Sequence, residues 1–450
     1  MAEARKETAR GFALDAIKRV EKDEAHVDRL ADHYLQKARL KDPDRRLFSE
    51  LAYGVIRHRR ILDFYIEQTL DRKISQTDLT TRNILRLGAY QLFFLDKIPP
   101  RAAVNETVEL SVKYARPIVN AVLRKLSENK PRLKSADDLP ELMQRLGVKY
   151  SHPDWMVERF VKQFGEESAE KFMSANNQKA DLCLRVNTMR ANRDDLLRLL
   201  EKERIKARPG RFCPLAVVVE DRGHPADLPG YKQGLFAVQD EASQLVVMML
   251  TPKPGERVLD ACAAPGTKTL EIFQLMQKKG TLVCADVNET RLRLVRPEAQ
   301  RLGLEGFEML VQDLTGPLAA GGKEPELFDK ILIDAPCSGL GTIRRHPEIK
   351  WQRSPADISK LADLQKRLMK NLSRYLSRGG TLVYSTCTIT GEENQEVVSA
   401  LTDSREFGLD DPFPHLPESA RPLVKKDVFQ TLPHLHSADG FTAFRLRRVR

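Results

Sequence analysis

No uninterrupted apolar run in the 450 residues approaches the ~20 needed to cross a bilayer, so a membrane protein is not expected. The opening MAEARKETAR has no apolar core of a secretory signal. A cytoplasmic location with reduced thiols follows as an expectation. Cysteine is sparse: six residues, at 183, 213, 262, 284, 337 and 387, with no CxxC pair and no Cys/His spacing. A metal site is therefore not expected. Internal repeats and low-complexity tracts are also missing, as are the glycine patterns of a Walker A loop and of GxGxxG.

What is present is length and positive charge. A chain of 450 residues exceeds what one core usually holds, so two or three domains are expected. The formal net charge of +11 favours a polyanionic partner, most simply nucleic acid. The three expected regions are 1–130, all helical; 145–235, a small α+β module; and 236–450, an α/β domain.

In the first region apolar residues recur at three- and four-residue spacing, as in ARGFALDAIKRV and TRNILRLGAYQLFFL. Asp42 and Thr77 are candidate caps. Arg57, His58, Arg59 and Arg60 form a basic cluster that is either a solvated helix face or an RNA contact. Residues 130–150 mix Pro, Lys and Asp and predict a connector. The next stretch predicts helices, then strands at LCLRVN and LAVVVED around the helix RDDLLRLLEKE.

From Arg257 strands alternate with helices: RVLDA, GTLVCAD, FEMLVQD, DKILIDA and GTLVYST, with GFTAFRLRRV as a last strand. This predicts a largely parallel sheet covered on both faces. In such folds ligands bind beyond the carboxyl ends of the strands. There stands DACAAPGTKT, residues 260–269, where Gly266 would let a ligand approach the backbone and Ala263 and Ala264 clear space. Asp286 closes the second strand and suits two ribose hydroxyls. Asp313 and Asp334 close the third and fourth. One strand-end acid is commonly a turn residue; three around one crevice suit a nucleoside without phosphate, such as S-adenosylmethionine.

Cys337, in DAPCSGLG, and Cys387, in YSTCT, each follow an apolar strand and open a loop. The fourth and fifth strands should be neighbours, so both thiols should face one crevice. Thr390 and Glu393, just beyond, have the spacing of a capping box. A thiolate that adds to carbon 6 of cytosine makes carbon 5 nucleophilic toward a methyl donor. Asp334 could hydrogen-bond the base at nitrogen 3 and Lys268 could add positive charge. Spacing alone does not rank the two cysteines.

DACAAPGTKT, DAPCSGLGTIRRHPEIKW and YSTCT, in this order, resemble the motifs of the RNA cytosine carbon-5 methyltransferases. PRAAVNETVELSVKYAR and IVNAVLRKL resemble a NusB-like RNA-binding domain. Together they resemble the bacterial RsmB/Sun (Fmu) family of 16S rRNA methyltransferases. The resemblance implies a Rossmann-like domain with a mixed seven-stranded sheet behind a NusB-like front. It implies S-adenosylmethionine as donor and small-subunit rRNA as substrate of a monomer. It makes Cys387 the nucleophile and Cys337 the residue of product release. It assigns the cofactor to Cys262, Ala263, Ala264, Pro265, Gly266, Thr267, Lys268, Asp286, Asp313 and Asp334. Thr267 stands where the family usually has a second glycine, and Pro297 predicts a kink in the helix after Asp286. The rivals are the same chemistry on tRNA, an amino-group methyltransferase, which would have no use for the thiols, and a non-enzymatic antitermination-type factor. That last would need neither the thiols nor the three acids.

Overall fold

The computed structural model describes residues 7–37, 40–220, 224–318 and 326–449. The chain divides into two compact units, one of residues 1–179 with 343–353, the other of 180–342 with 354–450.

The first unit is helical. Its helices include Ala9–Asp23, Asp42–Arg57, Arg59–Glu67, Leu79–Phe94 and Arg116–Asn129, whose apolar stripes meet in a core containing Ile17, Phe48, Leu51, Leu62, Ile84 and Leu123. Neither expected cap is one. Lys41 precedes the helix at Asp42 without a side-chain bond, and Asp78, one residue past Thr77, receives the amides of Thr80 and Thr81. The expected connector contains a helix, Leu142–Lys149, with Leu146 and Val148 buried. Residues 343–353 complete this unit: Trp351 Nε1 donates to the Ile56 carbonyl at 2.7 Å, and Lys350 Nζ to that of Arg57 at 2.7 Å.

The second unit holds two sheets. In the smaller one, β1 (Leu182–Val186), β2 (Ala207–Pro209), β3 (Ala216–Val219) and β4 (Phe236–Val238) run antiparallel in the order β2-β3-β1-β4. The larger contains β5 (Arg257–Ala261), β6 (Thr281–Asp286), β7 (Glu308–Val311), β8 (Phe328–Asp334), β9 (Leu376–Thr386), β10 (Phe407–Leu409), β11 (Val424–Lys425), β12 (Val428–Gln430) and β13 (Thr442–Arg448). Its order is β11-β12-β13-β9-β8-β5-β6-β7, with β10 also on β13. β5 to β9 are parallel, and β13 runs antiparallel to β9. From β12 to β7 this is the expected mixed seven-stranded sheet; the short β10 and β11 extend it.

Successive residues of a strand face opposite sides. Val258, Leu332 and Val383 enter one core, and Leu259, Ile331, Ile333, Leu382 and Tyr384 the other. Helices cover both faces, so the central strands read as near-continuous apolar runs. Where a kink was expected at Pro297 there are two short helices, Glu289–Leu292 and Val295–Leu302. Pro297 lies in the first turn of the second, where amides have no intrahelical acceptor to lose.

Candidate active site

The register of β8 and β9 sets the site. Asp334 pairs with Ser385, and Ser385 Oγ donates to Asp334 Oδ1 at 2.8 Å. Past that pair the two strands turn into loops joined by the Gly341 amide, which donates to the Cys387 carbonyl at 3.0 Å. Cys337 Sγ and Cys387 Sγ lie 3.2 Å apart in a hydrogen bond, with no disulfide, and each is half-buried. The hydrogen bond with Cys387, then burial, then the charge of Cys387 and, after it, the carboxylate of Glu393 push the Cys337 thiol well up.

Lys268, in the first turn of the helix Thr267–Leu275, reaches the same place. Its Nζ donates to Asp334 Oδ2 at 2.6 Å. Burial works against its charge, but Asp334 and then Cys387 outweigh it and hold Lys268 above its ordinary value.

The loop 262–266 sits on the ends of β5 and β6. Cys262 has φ +60, and burial pushes its thiol up. Asp286, almost fully buried, receives the Ala264 amide on Oδ2 at 3.0 Å and the Asn288 amide on Oδ1 at 2.8 Å. Its carboxylate thus ties the loop to β6, and each oxygen keeps a second lone pair for a ligand. Gly266 has φ +102, and a Cβ there would come within 2.6 Å of Val295. The space a Cβ would need is filled by Val295, so a glycine here serves the turn and the packing. Thr267 takes the first helical position with no break in the loop. Ala263 and Ala264 are buried and Pro265 is exposed. Asp313, two residues past β7, is exposed and bonded to the amide and hydroxyl of Thr315, which hold it below its ordinary value.

The residues fit a nucleoside donor without phosphate. Carboxylates stand at the ends of β6, β7 and β8, and the one cation of residues 260–269, Lys268, is engaged by Asp334.

Three further buried groups went unnoticed in the sequence. Asp260, fully buried, accepts from Thr269 Oγ1 at 2.5 Å, and burial pushes it up to about 7. Glu271 accepts from Gln239 Nε2 at 2.6 Å, and burial, opposed by Arg185, holds it at about 7. Arg185, from β1, donates to the Thr267 carbonyl at 2.8 Å and so steadies the start of the cofactor-loop helix. An arginine inside the apolar run LCLRVN was the available signal.

In the helical unit the basic cluster turns inward. Arg57 donates to the Arg344 carbonyl at 3.0 Å. Arg60 donates to the His152 carbonyl at 2.6 Å and pairs with Asp154 at 2.7 Å. Arg59 lies over Trp351, and His58, stacked on Phe94, is pushed down to about 3 by burial. These side chains tie the unit together.

Residues 247–447 match the family model of the 16S rRNA methyltransferase RsmB/F, 7–128 that of the NusB family, and 152–224 that of the RsmF/B-like ferredoxin-like domain. A "Probable ribosomal RNA small subunit methyltransferase B" of Synechocystis sp. is 36% identical over 449 residues, covering 98% of this chain and 100% of the relative. The chain belongs to the ribosomal RNA small subunit methyltransferase B family. The Escherichia coli O1:K1 member of that family is 34% identical, with 96% of each chain covered. The crystal structure of PH0851 is similar over 99% of this chain and 98% of its own, with a TM-score of 0.83 and 25% identity. Like its family, the chain is an rRNA methyltransferase that uses S-adenosylmethionine. Among the described residues no helix is long and apolar enough to cross a membrane.

Proposed function

We propose that this methyltransferase acts in the cytoplasm, as a monomer, on carbon 5 of a cytosine in 16S rRNA, through a covalent adduct with Cys387. The observation that carries the reading is the thiol pair. Two free sulfurs stand 3.2 Å apart on adjacent strand ends, beside a Lys268–Asp334 pair. A methyltransferase acting on an amino group has no use for either thiol.

The sequence of events follows from what cytosine lacks. Carbon 5 is a weak nucleophile until a thiolate adds at carbon 6. Cys387 forms that bond, while a proton shared between nitrogen 3 and Asp334, which Ser385 and Lys268 place, takes up the charge the addition pushes onto the ring. Bound S-adenosylmethionine supplies the electrophilic methyl group that carbon 5 takes up. Asp286 and Asp313, with the loop from Cys262 to Lys268, hold the donor, and Asp334 lines the same crevice. The carbon 5 proton then passes to water, its electron pair restores the ring double bond, and the carbon 6–sulfur pair returns to Cys387. Cys337 assists that release. The base must leave its stack to reach a half-buried pair of thiols.

Bisulfite sequencing of 16S rRNA from cells with and without the gene tests the reading. One cytosine that becomes convertible when the gene is deleted is expected. An unchanged 16S profile beside an altered tRNA profile would move the activity to tRNA. No change in any RNA would overturn it.

A further inference from the structure

Glu393 is fully buried, yet it and Thr390 do not form the capping box their spacing suggested; the helix Gln395–Thr402 starts after Asn394. Its Oε1 accepts from the Ser338 amide at 2.7 Å and from Gln365 Nε2 at 3.2 Å. Its Oε2 accepts from Ser338 Oγ at 2.6 Å and from Thr390 Oγ1 at 2.8 Å. Each of these bonds reaches a thiol loop or its support. Ser338 follows Cys337, and Gln365 also donates to the Pro336 carbonyl, just before Cys337, at 2.8 Å. Ser338 Oγ meets Thr388 Oγ1 at 2.8 Å, and Thr388 follows Cys387. Tyr384 OH holds the Glu393 carbonyl at 2.6 Å.

None of those four donors carries charge. A buried carboxylate is costly, and a neutral side chain could lace two loops without that cost. The charge therefore asks for a use. The ionisable groups around the sulfurs are unevenly placed. Lys268, paired to Asp334, feels Cys387, whereas Glu393 faces Cys337. Tyr384 is itself held well up by burial and by Cys337, Glu393, Cys262 and Asp334. A thiolate is favoured beside an ammonium and disfavoured beside a carboxylate.

We propose that Glu393 is the positioning residue that gives the two cysteines different tasks: its ties set the spacing of the sulfurs, and its charge keeps Cys337 a protonated hydrogen-bond donor to the Cys387 sulfur. This rests on the two-thiol reading above. At release the carbon 6–sulfur bond breaks with its electron pair passing to Cys387, and the Cys337 S–H stabilises the thiolate so formed. No proton need leave Cys337.

The test uses the full chain, with each cysteine followed by mass spectrometry during iodoacetamide alkylation across pH. In Glu393→Gln the midpoint of Cys337 alkylation should fall by at least about one pH unit, a tenfold gain in thiolate below it. That variant should also turn over more slowly and accumulate a protein–RNA adduct, with KM for donor and RNA within about twofold. Glu393→Asp should return the Cys337 midpoint toward the wild-type value. Should Glu393→Gln not fold, Ser338→Ala keeps the charge and removes a tie; it should accumulate adduct with the Cys337 midpoint unchanged. A Cys337 midpoint unmoved in folded Glu393→Gln, both cysteines shifting alike, or wild-type turnover in Ser338→Ala overturns the proposal. The alkylation readout needs no RNA, so it stands apart from failure of the covalent mechanism, which would show as methylation surviving Cys387→Ala.

Discussion

Lys268 and Asp334 form a 2.6 Å ion pair that joins the cofactor-loop helix to the end of β8. The lysine side chain is 9% exposed and the aspartate 30%. Removing the acid leaves a buried ammonium without its counter-charge. Asp334→Ala should therefore cost about 2–4 kcal/mol, below the full penalty of a sealed pair because the aspartate reaches solvent. Asp334→Asn should cost less stability and still abolish methylation. Lys268 is held above its ordinary value, so the stability its charge brings is present at neutral pH and is lost as the pH climbs past that raised value. Urea unfolding with a methyl-transfer assay checks both.

The two cysteines should fail differently. Cys387→Ala should give neither adduct nor product. Cys337→Ala should methylate, stall, and build up an adduct that needs S-adenosylmethionine and survives a denaturing gel. The reverse pattern would exchange their roles.

Asp286→Ala removes the acceptor for two backbone amides as well as one for the donor's ribose. S-adenosylmethionine affinity should weaken by roughly 1.5–3 kcal/mol. Calorimetry on the folded variant measures it; unchanged affinity would take Asp286 out of the site.

Asp260 has a folded value near 7, above its ordinary one, because burial penalises its charge. The stability that protonation brings is complete below about pH 4 and is lost as the pH rises through 7. Asp260→Asn keeps an acceptor for Thr269 and carries no charge. It should be more stable than wild type at pH 8, by about 1–4 kcal/mol, and near wild type at pH 4. Thermal unfolding at the two pH values decides.

Binding of rRNA should weaken steeply with salt, through phosphate contacts made elsewhere than the inward-turned arginines. Arg60→Ala should lose about 1–3 kcal/mol of stability and leave the salt slope of RNA binding unchanged. A shallower slope in that variant would return Arg60 to the RNA surface.

Much of this architecture was legible because its signals are local. Buried parallel strands read as apolar runs, and each run ended in the acid or thiol that marked the crevice. Thr77 looked like a cap, but its neighbour Asp78 takes that place. Most of the other misreadings share one cause: the decisive partner lies in another element. Glu393 kept the spacing of a capping box while its carboxylate went to Ser338, 55 residues away. Arg185 and Asp260 gave no periodic signal, since their roles depend on Thr267 and Thr269 in another element. The short strands β10 to β12 were missed because two or three residues carry too little alternation to register.

The insertion of residues 343–353 into the helical unit has a consequence for synthesis. Trp351 and Lys350 bond the carbonyls of Ile56 and Arg57, yet residues 180–342 are translated in between. At typical bacterial speeds that interval lasts roughly 8–33 s. Throughout it the front helices are on the outside of the ribosome without the indole that covers the end of one of them. The earliest-made part of the protein is thus finished only after the cofactor loop has already been translated.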